Sequence, residues 1–155
     1  MTYQHFTANE IATAIQELGF QAKIFTDEDR PKIESASCGV RWTAQLCGSD
    51  PFFNSMFLHT PIWIKENPLQ WVNNWNSCHW SSMAHVVMPD DDTPLVADED
   101  GDYMIMVNFT YDFEGGVSHN YLEHAFTQWL RTIDELSELE DIKMCAARSS
   151  QSSRD

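Results

Sequence analysis

Residues 103–113, YMIMVNFTYDF, alternate without a break. Tyr103, Ile105, Val107, Phe109, Tyr111 and Phe113 fall on one side of an extended chain, and Met104, Met106, Asn108, Thr110 and Asp112 on the other. A period of two sustained this long specifies a strand with one face in a core, the pattern of antiparallel sheets. The two methionines on the second face predict that it is not fully solvated. The rest of the chain must then provide neighbouring strands, and helices to cover the apolar face.

Upstream lies an acidic turn, Asp98-Glu99-Asp100-Gly101-Asp102, with Gly101 suited to a positive φ. Read as a calcium loop, Asp98, Asp100 and Gly101 would take positions 3, 5 and 6, but Val96 and Val107 would then occupy the ligand positions 1 and 12. The segment is therefore expected to be a hairpin turn between two strands. Met83 to Met88 and Pro94 to Ala97 read as strands around the aspartate run Asp90-Asp91-Asp92. Before them, Asn67-Pro68-Leu69-Gln70 is a helix start, with Asn67 as N-cap, Pro68 at the first helical position and Gln70 closing a capping box. That helix should run through WVNNWNSCHW (71–80) to about Cys78. Leu69, Val72, Trp75 and Asn76 share a face, so Val72 and Trp75 are expected to pack on the sheet. The Asn76 amide must satisfy its hydrogen bonds by capping the helix or binding neighbouring backbone. Cys78 is expected to be buried or half-buried, and Trp80 to begin the return strand.

Downstream, Gly115-Gly116 ends the strand and Ser118 caps a last helix, with Val117 and Leu122 as its hydrophobic staple. Leu122, Ala125, Phe126, Trp129, Ile133 and Leu136 recur at helical spacing. In the N-terminal half, Thr7 and Glu10 form a capping box with Phe6 and Ile11 as staple, predicting a helix over 8–18 that stops at Gly19. Strands follow over Gln21–Thr26, Lys32–Cys38, Val40–Leu46 and the stretch NSMFLHTPIWI (54–64), where Pro61 marks a strand end or an edge. The order helix, strands, helix, strands, helix predicts one α+β domain over residues 1–146, an antiparallel sheet with helices packed on it. The tail 147–155 has nothing to bury and is expected to be disordered.

Nine basic against 24 acidic residues leave a net charge of −15, which repels phosphate backbones and argues against nucleic-acid binding. No apolar run reaches the ~20 residues of a membrane span, and the N-terminus has no secretory pattern. Cys38, Cys47, Cys78 and Cys145 lack paired spacing and read as free thiols of a cytoplasmic protein. Adjacent Cys78-His79 is a poor chelate, and His119 and His124 are spaced five apart, so no metal site is expected. No nucleophile elbow, phosphate loop or dinucleotide fingerprint occurs, which points to no catalytic residues and no cofactor.

Five segments together resemble the YbjN family: ELGFQAKI (17–24), the VNNWN helix, the acidic turn, the long strand and GGVSHNYLEHAFTQWL (115–130). The resemblance spans roughly residues 7–136, with Val72, Trp75, Asn76, Gly116 and Ser118 as structural signature; CGSDPFFNSMFLHTPIWIK (47–65) is bulkier and more aromatic than the family pattern. That bacterial family is described as sensory transduction regulators, with a fold similar to type III secretion chaperones. The resemblance implies a non-enzymatic, homodimeric protein that works by binding an unidentified protein partner. An exposed aromatic patch of Phe52, Phe53, Phe57 and Trp63 is the expected contact surface. The alternatives are a small-ligand sensor with a Trp- and Met-lined pocket between sheet and helices, and a thiol enzyme built on Cys78 and His79.

Overall fold

Thr7 starts the first helix with the reciprocal bonds that the sequence predicts: its hydroxyl accepts from the Glu10 amide (3.2 Å), and the Glu10 carboxylate accepts from the Thr7 amide (3.1 Å). The structure is a computed structural model and describes residues 4–26, 30–49, 51–88 and 95–148. Helix α1 (Ala8–Glu17) is followed by strands β1 (Lys23–Phe25), β2 (Lys32–Ser37), β3 (Val40–Ser49) and β4 (Phe52–Ile64). Then come α2 (Pro68–Cys78), β5 (Met83–Val86), β6 (Tyr103–Asp112), α3 (His119–Ser137) and β7 (Lys143–Met144). All strand pairs are antiparallel, in the order β1-β2-β3-β4-β6-β5, with β7 added beside β4.

Register and alternation put every helix on the same side of this sheet. Met56, Leu58, Ile62 and Ile64 of β4 and Ile105, Val107 and Phe109 of β6 share the buried parity. One part of the core joins Met56, Leu58 and Phe109 to Ile11 and Ile15 of α1 and to Leu122, Phe126, Trp129 and Ile133 of α3. The other part joins Ile62, Ile64, Ile105 and Val107 to Val72 and Trp75 of α2, with Leu136 of α3. Ser118 caps α3 by accepting from the Tyr121 amide (3.1 Å). Just before it, Gly116 (φ +84°) lies against Gln4, whose backbone nitrogen would be 3.4 Å from an added Cβ.

Several expectations are corrected. Asn67 adopts a left-handed conformation (φ 52°) and makes no side-chain cap, so its capping box with Gln70 does not form, although Pro68 does open the helix. Leu69 is 60% exposed and does not join Val72 and Trp75 in the core. Leu95–Ala97 are irregular and not a strand; Pro94 and the turn Asp90-Asp91-Asp92 lie outside the described residues. Pro61 is neither at a strand end nor on an edge: it sits well inside β4, opposite Met106 of β6. On its other side β3 pairs no further than His59 and β7 takes over at Ile62 and Trp63. Where β3 departs, the Thr60 hydroxyl donates to the Arg41 carbonyl (3.1 Å) and the Arg41 amide donates to Cys145 (2.9 Å). Proline, which cannot donate, is tolerated at such an interruption of the ladder.

The C-terminal strap around β7 was not expected at all. Ala147 donates its amide to Gly39 (2.9 Å), and Arg148 forms an ion pair with the largely buried Glu34. Ala147 and Arg148 are thus tied to the domain and do not belong to a free tail; residues 149–155 lie outside the described ones.

Candidate functional site

The sheet has a second face, and no helix among the described residues covers it. Alternation places Phe57, His59, Pro61 and Trp63 of β4 there, beside Met104, Met106 and Asn108 of β6 and Met83 and His85 of β5. Phe57, Pro61, Trp63, Met104 and Met106 are half-buried, while Met83 is 63% exposed. Methionine and aromatic side chains on an uncovered sheet face form a deformable apolar surface suited to varied partners.

Of the four aromatics expected at a contact surface, Phe57 and Trp63 lie on this face and Phe52 is 53% exposed at the start of β4. Phe53 does not belong with them: it is 1% exposed and part of the core. A β-bulge re-aims it, since Cys47 pairs with Ser55 but Gly48 with Phe53, leaving Asn54 as the extra residue. Gly48 (φ +115°) permits the bulge, because a Cβ there would stand 2.8 Å from the Asn54 side-chain oxygen. The sequence carries one signal for the bulge, a glycine at position 48.

His59 is the polar centre of the open face. Burial, and secondarily the charge of Lys32, lowers its pKa from 6.5 to about 4, so the imidazole is neutral at pH 7. Its Nδ1 is buried without a hydrogen-bond partner among the described residues, and its ring lies 5.1 Å from that of Phe57. On the helix side, burial and then Tyr121 raise the Tyr111 pKa; its hydroxyl donates to Gln128 (2.9 Å).

The edges of the sheet are guarded differently. At β5 the Asn76 side chain accepts from the Ala84 amide (2.8 Å) and donates to the Ala84 carbonyl (3.0 Å). One amide thereby supplies the two bonds that another strand would make and blocks that edge at Ala84. This realises the expectation that Asn76 binds neighbouring backbone. At the opposite edge β1 has only three residues, and Lys23 lies over the Phe25 ring (4.9 Å).

The rest of WVNNWNSCHW is a stack. The Trp71 and Trp75 rings are 5.3 Å apart, and the Trp75 and His79 rings 3.6 Å apart, nearly parallel. Trp75 donates to Ser82 (3.0 Å). His79 stands between two acceptors, the Trp75 carbonyl 2.8 Å from Nδ1 and the Glu135 carboxylate 2.9 Å from Nε2. Both ring nitrogens are engaged away from Cys78, so the pair forms no thiol–imidazole couple. Cys78 is exposed, against the expectation of burial, because the helix ends there with its side chain facing out. Trp80 does not start a strand: it is 98% exposed in the bend before β5. It rims a cleft of about 310 Å³ with Cys78, His79, Gln128 and Arg131. A groove of about 480 Å³ lined by Trp63, Met88, Val96 and Met104 adjoins the open face.

The acidic turn is self-contained. Gly101 has φ +80°, and the Asp98 carboxylate accepts from the amides of Asp100 and Asp102 (both 2.9 Å). Lys65 pairs with the buried Asp102 (2.8 Å), which raises the lysine's pKa.

The family of putative bacterial sensory transduction regulators called YbjN matches residues 7–139. The chain belongs to the YbjN family. The signature residues of that family resemblance thus have structural work: Val72 and Trp75 fill the core, Asn76 closes an edge, and Gly116 and Ser118 lead into α3. The fold is also that of a solved relative, "Crystal structure of YbjN, a putative transcription regulator from E. coli". The two share 12% identity with a TM-score of 0.54, over 88% of this chain and 89% of that one. No curated protein matches. Membership makes the chain a member of a regulator family, and no described helix is long and apolar enough to cross a membrane.

Proposed function

We propose that this YbjN-family protein is a non-enzymatic, cytoplasmic regulator that binds a partner protein across the open face of its sheet. One observation carries the reading: the three helices among the described residues lie on one side, and no described helix covers Phe57, Pro61, Trp63, Met104 and Met106. The blocked β5 edge and the very short β1 edge favour contact through the face over strand addition at an edge. Cys38, Cys47, Cys78 and Cys145 form no disulfide among the described residues, in keeping with a reducing compartment. A chaperone-like role, holding an apolar segment of another protein, fits the same chemistry, and a second copy of the chain would use the same face.

The test is Phe57→Ser with Trp63→Ser in the full chain, followed by light scattering and by photo-crosslinking from position 104, on the same face, in native cells. The expected result is an unchanged unfolding midpoint with loss of the crosslinked protein. A wild-type crosslink only to itself, together with a dimer mass lost in the variant, would assign the face to self-association. An unfolded variant, or an unchanged crosslink, would refute the reading.

A second reading is favoured by the groove of Trp63, Met88 and Met104: a small-ligand sensor. A metabolite that binds only the folded state must raise the unfolding midpoint, and the rise should vanish in Trp63→Ala.

A further inference from the structure

Glu17 is the last residue of α1, and His119 and Glu123 lie one helical turn apart at the start of α3. Folding brings the three together: His119 Nε2 is 3.2 Å from Glu123 Oε1 and 3.5 Å from Glu17 Oε2, and all three ligand atoms lie within 4.8 Å of one another. We propose that these three residues bind a zinc-class divalent cation that ties α1 to α3.

Four features support this. A charge-assisted hydrogen bond from an imidazole to a carboxylate is about 2.7–2.9 Å long, and both separations exceed that. A tetrahedral zinc ion, with bonds of about 2.0–2.1 Å to nitrogen and oxygen, sets neighbouring ligands about 3.3 Å apart, close to both separations. Nε2 carries at most one hydrogen, which the two carboxylates would have to share, whereas a cation takes all three groups as full ligands at once. Neither glutamate is paired with a lysine or arginine among the described residues, in a chain of net charge −15.

The aspartate turn offers a contrast. Asp98, Asp100 and Asp102 also converge, but Lys65 already neutralises Asp102 and the Asp98 carboxylate is occupied by two amides. The positive N-terminal end of α3 opposes a cation, and the negative C-terminal end of α1 at Glu17 offsets it. One imidazole with two carboxylates suits zinc better than magnesium or calcium, which favour oxygen ligands alone. All three side chains are about half exposed, so an ion can enter and water can complete the coordination.

The experiment uses the full chain stripped of metal. Zinc chloride is titrated by calorimetry and by thermal unfolding, with magnesium chloride as comparison. Zinc should bind as one equivalent and raise the unfolding midpoint, and magnesium should not. His119→Ala and Glu123→Gln should each weaken binding at least about tenfold, since loss of even an outer-sphere partner costs that much. Their metal-free midpoints should stay close to wild type, while Asp98→Asn should bind zinc as wild type does. Absence of zinc binding, full binding in both ligand variants, or loss of it in Asp98→Asn would each overturn the site.

Discussion

The two faces of one sheet are built from alternate residues of the same strands, yet they differ in almost every physical respect. On the helix side, Trp42, Phe126, Trp129 and Phe109 interlock, with Trp42 6.2 Å from both Phe126 and Trp129, and Phe109 5.4 Å from Trp129. On the other side, Phe57, Pro61 and Trp63 stay half-buried. Phe53 and Phe57 show the contrast at its smallest scale. They lie four residues apart on β4, but a single bulged residue sends the first into the core and leaves the second outside. Burial of an aromatic is thus decided less by its chemistry than by which side of the sheet the helices reach.

The contrast can be broken most forcefully from the core. Trp129→Ala should cost about 3–5 kcal/mol, the usual penalty for emptying a fully buried indole site, read as a lower urea midpoint. The next largest effect lies on the open face and depends on pH. His59 is harder to protonate folded, at about 4, than unfolded, at 6.5, so the unfolded chain takes up the extra proton between these values. Stability is therefore fully retained above pH 6.5 and falls as the pH drops toward 4, by on the order of 3 kcal/mol at most. Urea midpoints between pH 7 and pH 4.5 should fall more steeply in wild type than in His59→Asn; parallel curves would show that His59 is not the titrating group.

Asn76→Ala probes the boundary between the faces and the solvent edge. Losing both bonds to Ala84 should cost about 1–2 kcal/mol, and the bared β5 edge should bring concentration-dependent association, visible by light scattering. A variant that stays monomeric at every concentration would show that the edge needs no guard. The smallest effect on stability belongs to Phe57→Ser, expected within about 1 kcal/mol, against several for Phe53→Ala. If the two phenylalanines were equally costly, the open face would be as structural as the core.

Local signals made much of this legible. The capping residues Thr7 and Ser118, the alternation of residues 103–113 and the spacing of Leu122, Phe126, Trp129 and Ile133 each act within a few residues of chain, where side-chain geometry follows backbone period. The VNNWN stretch specifies a helix that buries Val72 and Trp75 and carries an asparagine that must find backbone. Its partner, Ala84, belongs to another element, so no spacing rule could name it. Trp80 and Cys78 were misplaced for a related reason: their positions depend on where α2 stops relative to α3, not on their own type. Likewise His119 and Glu123 are one turn apart in the sequence, but Glu17 reaches them only through helix packing.

The sequence by itself determined an α+β domain with an antiparallel sheet, three helices of which α1 and α3 carry side-chain caps, most of the core positions of those helices and membership of a recognisable family. These follow from periodicity and capping, which are local. The tertiary structure alone decided the strand order with β6 beside β4, the bulge that buries Phe53, the strap that lets Pro61 sit inside a strand, and the bareness of one sheet face. Each of these is a matter of which distant segments meet, and an alternating strand specifies only that its two faces differ, never what comes to lie against each.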